Sequence, residues 1–290
     1  MIRSEFVGKW SPATSGEKLL HLLATQVPSL RTQADSMKKV LDDVPRGPSF
    51  ALFIQGSIVL HAFSRLMQAS KHYRGEHHDR PERIDMEIRH FLVDKLNVDK
   101  ATCPAFDQLI SAAVAAAEKS SEASRPTKRF RADVIREAKG DVYCYSCGGS
   151  LDSRISQHDN SDYMDIEHVW PHSMGGDTAL DNLLPVCTPC NSTRGHLASW
   201  EWSRVQAPIH GPLGEEYLGD KQTSKEEKIA LHARAALEYA RVHGCTLKAA
   251  YRSIGPRNAV RLLDPSDSCD FFNLYAHNPE RHEATWGSLL

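Results

Sequence analysis

The sequence predicts a mainly helical protein of the α+β class, with a small module of two strands and one helix at its centre. Apolar side chains recur at helical spacing in residues 14–121 and 223–254. Between these regions, residues 163–169 alternate between apolar and polar side chains, as a strand does. Two Cys-x-x-Cys pairs bracket this strand, one on each side. The predicted division is a helical N-terminal domain over 1–124, a basic linker over 125–140, the module over 141–205, and a helical C-terminal region over 206–290 that packs on the module.

Three segments of the N-terminal region have a helical signature. Thr14 and Glu17 form a capping box ahead of a leucine-rich stretch. Residues 50–63 are an apolar run with polar interruptions, which is too short and too polar to span a membrane and predicts a buried helix. Between Phe106 and Ala117 the apolar side chains follow helical spacing and predict an amphipathic helix.

The composition limits the class of protein. A chain of 290 residues with 41% hydrophobic residues can form a packed core in one large or two modest domains. Its formal net charge of −2 means that any affinity for nucleic acid must come from local basic patches. The N-terminus lacks the apolar stretch of a signal peptide. Seven cysteines, of which four form the two pairs, indicate a reducing cytoplasm rather than a disulfide framework.

The four paired cysteines are the ligand set of a structural zinc site. Cys144 and Cys147 have the two-residue gap with which one tight turn presents both sulfurs to one ion, and Cys187 and Cys190 repeat it. The segment between the pairs is too short for a core of its own, so a bound metal is the expected support. A redox role is the competing interpretation, although two pairs that close one polar loop fit it poorly.

The residues between the cysteine pairs predict a hairpin followed by a helix. Glu167 and His168 end the first predicted strand, and Gly175-Gly176 predicts a turn. Residues 180–186 form the returning segment, and Asn191 follows the last cysteine, where a helix can begin.

This stretch resembles the HNH endonuclease family, whose ββα-metal fold has flanking zinc knuckles. Over residues 144–196 the family's features follow one another in order: Glu167-His168, Pro171, Ser173, Gly175-Gly176, Asn182-Leu183 and Cys187-x-x-Cys190-Asn191. The resemblance implies that His168 is the general base and that Glu167 is a ligand of the catalytic metal. It also implies that Asn182 braces the loop and orients the base, and that Asn191 is a ligand at a position where the family often has histidine.

The chemistry of these side chains agrees with the implied roles. An imidazole with an ordinary pKa of about 6.5 can accept a proton from water at cellular pH. Glu167 and Asn191 offer oxygen ligands suited to Mg²⁺ or Mn²⁺, which would neutralise a phosphate and its leaving oxygen. Asp165 lies two residues before Glu167, on the same face of the strand, and is an alternative ligand. We therefore expect the side chains of residues 167, 168 and 191 to surround one space for a divalent cation and a phosphate.

Basic residues near the module are candidates for contact with DNA. Arg194 follows Asn191 on the same predicted helix and could bind a phosphate through two hydrogen bonds. Lys128, Arg129 and Arg131 form a basic run that leads into the module. Contact with the phosphate backbone and a solvated connector are equally good interpretations of this run.

These features predict a metal-dependent HNH endonuclease that acts on DNA and cuts one strand per active site. The expected cofactors are structural Zn²⁺ and catalytic Mg²⁺ or Mn²⁺, with no small-molecule cofactor and no membrane insertion. The layout also resembles the HNH effector nucleases of bacterial anti-phage systems such as type II Zorya, which implies other defence proteins as partners. Two alternatives stay open: a non-catalytic zinc-ribbon protein that binds nucleic acid or acts as an adaptor, and a restriction or homing-type HNH nuclease.

Overall fold

The computed structural model describes residues 7–40, 48–122, 126–138, 140–154, 163–195 and 225–257. Its helices are α1 (Ser15–Gln26), α2 (Pro28–Val40), α3 (Pro48–Glu76), α4 (Pro81–Leu96), α5 (Phe106–Ser121), α6 (Lys128–Ala138), α7 (Thr188–Arg194), α8 (Lys225–His243) and α9 (Leu247–Ile254). Its strands are β1 (Val142–Tyr143), β2 (Ser150–Leu151), β3 (Met164–His168) and β4 (Leu183–Cys187). The predicted fold class, mainly helical with small antiparallel sheets and the module in the middle, is confirmed.

Helices α1 to α5 form the N-terminal part of the core. The capping box at the start of α1 is present: Glu17 N donates to Thr14 Oγ1 at 3.2 Å, and Thr14 N donates to Glu17 Oε2 at 2.7 Å. Helix α3 is the longest and packs against α1, α2, α4 and α5. Its residues from Ile54 to Phe63 are mostly buried, as the sequence predicts. No helix in the described ranges is long and apolar enough to cross a membrane.

The module and the N-terminal helices share one apolar core. Trp170, which follows β3, has its ring centroid 6.1 Å from that of Trp10 and 5.9 Å from that of Phe63. The same cluster includes Leu247 and Ala250 of α9 and residues of α8. The described part of the C-terminal region therefore packs on the module; residues 206–224 and 258–290 of the predicted region lie outside the described ranges.

A second, smaller core lies under the hairpin. Strands β3 and β4 pair antiparallel, with Met164 opposite Cys187 and His168 opposite Leu183. Helix α6 contributes Val134 to this core. Most of the stretch that we expected to be a linker is therefore a helix that packs on the module, from Lys128 to Ala138.

The start of α1 docks directly on the loop that follows β3. Gly16 N donates to Gly175 O at 2.8 Å. A Cβ atom on Gly16 would lie 2.0 Å from Met174 O and 2.4 Å from Trp170 Nε1, so only glycine permits this approach. Gly175 itself has φ of +80°, a conformation that glycine adopts without strain.

Glu17 is a buried carboxyl at this contact, with 2% of its surface exposed. Burial raises its pKa to about 7 from 4.5, against the effect of hydrogen bonds from Thr14 and Ala13, and nearby Asp177 adds to the rise. The folded state thus holds the proton more tightly than the unfolded state does. The free energy of unfolding should be highest below about pH 4.5 and should decrease as the pH rises through about 7.

We predict that Glu17→Gln reduces this pH dependence, because glutamine keeps an acceptor oxygen and does not ionise. Between about pH 5 and pH 8 the parent should lose on the order of 2 kcal/mol of stability more than the variant. Urea unfolding at both pH values measures the difference. Glu82→Gln, at an exposed glutamate in the first turn of α4, is the matched control and should behave as the parent does. An equal pH dependence in parent and Glu17→Gln would contradict the prediction.

Candidate active site in the central module

The four cysteines of the two pairs come together as predicted. Their Sγ atoms all lie within 4.8 Å of one another, and the Sγ atoms of Cys147 and Cys187 are 3.8 Å apart. A tetrahedral zinc ion with Zn–S bonds of about 2.3 Å would place its sulfurs about 3.8 Å apart. The cluster therefore fits zinc in both ligand type and size.

One residue outside the two pairs supports the cluster. Arg257, which follows α9, directs Nη1 to Cys190 Sγ at 3.5 Å and to Ser146 Oγ at 3.1 Å. The pKa of the Cys190 thiol is lowered to about 4, chiefly by a hydrogen bond with Cys144 and also by the Arg257 guanidinium. The sequence gives no sign of this contact, because the arginine lies 67 positions beyond its cysteine.

The side chain of Asn182 binds two points of the loop between β3 and β4. Its side chain is 2% exposed; Oδ1 accepts from Trp170 N at 2.7 Å. Nδ2 donates to Trp170 O and to Asp177 O, both at 3.0 Å. These three hydrogen bonds thus join separate points of one loop, which sets the position of the residues within it.

His168, at the end of β3, faces this loop and is partly exposed. Its Nε2 lies 2.9 Å from Thr178 Oγ1, and its ring centroid is 5.5 Å from that of His172. Burial lowers its pKa to about 4, and the positive charges of His172 and Arg194 act in the same direction. The imidazole is therefore neutral at neutral pH, the form that can accept a proton.

Asn191 pairs with Asp165. Its Nδ2 donates to Asp165 Oδ2 at 2.6 Å, and both side chains are partly exposed. Asp165 Oδ1 also accepts from Ile166 N at 2.9 Å. Asp165, which the sequence offers as an alternative metal ligand, thus faces α7 and lies beside Asn191.

Glu167 lies in the interior, in an ion pair with Arg194. Arg194 Nη1 donates to Glu167 Oε1 at 2.7 Å, and their side chains are 2% and 5% exposed, respectively. Tyr145 OH donates to Glu167 Oε2 at 2.7 Å. Burial raises the pKa of Glu167, and Arg194 and Tyr145 oppose that rise. Arg194 also donates to the backbone oxygens of His168 and Val169.

This arrangement differs from the expected one in two respects. Glu167 is buried in an ion pair with Arg194, whereas His168 and Asn191 are partly exposed, and neighbouring residues of a strand project to opposite faces. Arg194 presents no exposed guanidinium to a phosphate. The sequence spacing contains a signal for both pairs. Asp165 and Glu167 share a strand face, and Asn191 and Arg194 share a helix face one turn apart, so two parallel pairs can form.

The basic run at the start of α6 divides into two parts. Lys128 and Arg129 are exposed. Arg131 instead donates to Met164 O at 2.5 Å, and its guanidinium lies 5.2 Å from the centroid of the Tyr163 ring. It fixes α6 to β3.

Residues 144–204 match the sequence profile of the HNH endonuclease family. The middle of the chain is therefore an HNH endonuclease domain with a four-cysteine cluster compatible with zinc, and this domain supports a nuclease function with a nucleic-acid substrate. Neither the curated proteins nor the solved structures give a match to the chain.

We predict that the purified chain binds one zinc ion and that Cys147→Ser loses it, because a hydroxyl is a poor substitute for a thiolate ligand. Loss of zinc should lower the melting temperature, since the hairpin has only a small core beneath it. Elemental analysis and thermal unfolding measure the two effects. Cys245→Ser, at a cysteine outside the cluster, should retain zinc. Undiminished zinc in Cys147→Ser would contradict the assignment.

Proposed function

We propose that the chain is a metal-dependent endonuclease that hydrolyses phosphodiester bonds in DNA. The observation that supports this proposal best is His168, a partly exposed imidazole at the end of β3, beside the loop that Asn182 fixes and within a stretch that matches HNH endonucleases. An imidazole in this setting can act as the general base that takes a proton from the attacking water. Asn182 acts through the loop and has no contact with the reacting atoms in this proposal.

The donors that best fit a catalytic divalent ion are Asp165 and Asn191. They are partly exposed, they offer a carboxylate and a carboxamide oxygen, and their polar atoms lie 2.6 Å apart. Such oxygen donors suit Mg²⁺ or Mn²⁺, and the bound ion would supply charge neutralisation at the phosphate. Glu167, the ligand implied by the resemblance, fits this role less well because its side chain is 5% exposed and forms a buried ion pair with Arg194.

The charges of α6 support DNA as the substrate. Lys128 and Arg129 are exposed side chains on a helix that packs on the hairpin. Contacts of this kind bind the phosphate backbone without regard to base sequence. One active site would cut one strand, so a single domain should produce nicks before linear products.

The finer biological role that we propose is that of a cytoplasmic effector in bacterial anti-phage defence, acting with other defence proteins. Its support is the layout of an HNH domain enclosed by helical regions, together with the lack of a disulfide among the described cysteines. Phage plating on a host that expresses the chain or its His168→Ala variant tests this role.

The burial of Glu167 favours one competing function, a zinc-bound protein that binds nucleic acid without cutting it. In that case the Glu167–Arg194 pair would be purely structural and no divalent ion would be held nearby. Both functions predict zinc and affinity for DNA, so neither property distinguishes them.

We predict that the parent protein nicks supercoiled plasmid in the presence of Mg²⁺ or Mn²⁺ and that His168→Ala lowers the rate by about 100-fold or more, because the general base is lost. Gel analysis of relaxed and linear plasmid measures the rate. His77→Ala, in the turn between α3 and α4, is the control for loss of an imidazole elsewhere. A folded, zinc-loaded parent that does not nick with either ion would favour the binding protein.

Two substitutions separate the metal ligand from the structural carboxylate. Asp165→Asn should raise the Mn²⁺ concentration needed for half-maximal nicking and leave the melting temperature nearly unchanged. Glu167→Gln should instead destabilise the protein by about 3 kcal/mol, because it leaves the Arg194 charge buried without its counter-ion. Metal titration of the nicking rate and thermal unfolding measure the two effects. The reverse pattern would assign Glu167 as the ligand.

A further inference from the structure

His168 has one side-chain hydrogen bond that neither the sequence motif nor the resemblance assigns. Its Nε2 lies 2.9 Å from Oγ1 of Thr178, ten positions along the chain. Thr178 is partly buried in the loop between β3 and β4. The contact uses one of the two ring nitrogens, which leaves Nδ1 as the nitrogen that can serve a water molecule.

The direction of this hydrogen bond depends on the tautomer of His168, because the threonine hydroxyl can accept from Nε2–H or donate to Nε2. A neutral imidazole has one N–H and one lone pair on its two nitrogens. When Nε2–H donates to the threonine oxygen, the lone pair resides on Nδ1 and the ring plane is fixed. With the proton on Nδ1 instead, the lone pair lies on Nε2, where it faces the threonine hydroxyl, and Nδ1 offers no acceptor to a water molecule.

Thr178 is in turn held by the N-terminal helices. Its neighbour Asp177 accepts hydrogen bonds from the backbone N of Ser15 at 2.9 Å and from Ser15 Oγ at 3.2 Å. The backbone oxygen of Asp177 accepts from Asn182 at 3.0 Å. Ser15 is the first residue of α1, so the N-terminal end of this helix, which favours a negative charge, binds the carboxylate.

We propose that Thr178 is a positioning residue that orients the imidazole of His168 and selects its tautomer, and that Asp177, bound to the start of α1, holds Thr178 in place. This inference rests on the proposed function of His168 as the base. It makes the N-terminal helical region part of what positions the base, since Ser15 N bonds the Asp177 carboxylate and the adjacent residue, Thr178, bonds His168.

The test compares Thr178→Val, which keeps the shape of the side chain and removes the hydroxyl, with Thr178→Ser, which keeps the hydroxyl. Thr178→Val should lower kcat for plasmid nicking by about 10- to 100-fold with little change in KM, because the base is misplaced while DNA contacts persist. Thr178→Ser should restore most of the rate. Asp177→Ala should lower kcat in the same way as Thr178→Val does.

A second readout is independent of activity. Nitrogen NMR of the full chain labelled at its histidine rings reports which nitrogen of His168 is protonated, with His168→Ala identifying the signal. In the parent the proton should reside on Nε2, and in Thr178→Val the signal should shift towards a mixture of tautomers. A merely structural role for Thr178 would lower stability without changing this signal.

Two variants serve as controls. Thr32→Val removes a hydroxyl that bonds a carbonyl within α2, and Asp181→Ala removes an exposed carboxylate from the same loop as Asp177. Both variants should nick plasmid at the rate of the parent and should give the same His168 nitrogen signal as the parent. An active parent whose Thr178→Val variant keeps both kcat and the His168 tautomer would overturn the inference. A parent that never nicks would overturn the proposed function instead, and the NMR comparison would still show whether Thr178 selects the tautomer.

Discussion

The structure depends most on the hydrogen bonds that join Asn182 to Trp170. Asn182 binds both the backbone N and the backbone O of Trp170, while the indole of Trp170 is buried between Trp10 and Phe63. Trp170 thus attaches the loop between β3 and β4 both to Asn182, directly before β4, and to the N-terminal helices. Because buried amide groups are costly to leave unpaired, a rearrangement of this loop would lose several interactions at once. The position of His168, directly before this loop, follows from that constraint.

The buried ion pair between Glu167 and Arg194 is the second determinant of the site. Two charges removed from water are costly unless they are paired and supported by further hydrogen bonds. Here the carboxylate has Arg194 and Tyr145 as partners, and the guanidinium also binds two backbone oxygens at the end of β3. The pair therefore fixes the register of α7 against the hairpin, and with it the position of Asn191 beside Asp165.

Local features were predictable from the sequence because their signals are local. The capping box at Thr14, the meeting of the four cysteines and the hairpin around the glycine pair each depend on spacings of a few residues. The environment of Glu167 was not predictable, since the alternation of a strand does not tell which face the following helix covers. The contact of His168 with Thr178 has no signature either, because it depends on how the loop folds back. The helix in the stretch expected to be a linker was missed because its basic composition concealed the apolar face of Phe130, Val134 and Ala138.

The close approach of Gly16 to the loop has a consequence for the evolution of such a chain. A backbone contact without side chains tolerates no insertion at either surface, so the helix and the loop must change together. Recombination that transferred the HNH domain alone into another protein would expose Trp170 and leave the loop without its neighbour. In this chain the segment that must be inherited as one unit therefore extends beyond the stretch that bears the family signature, and it includes the first helix.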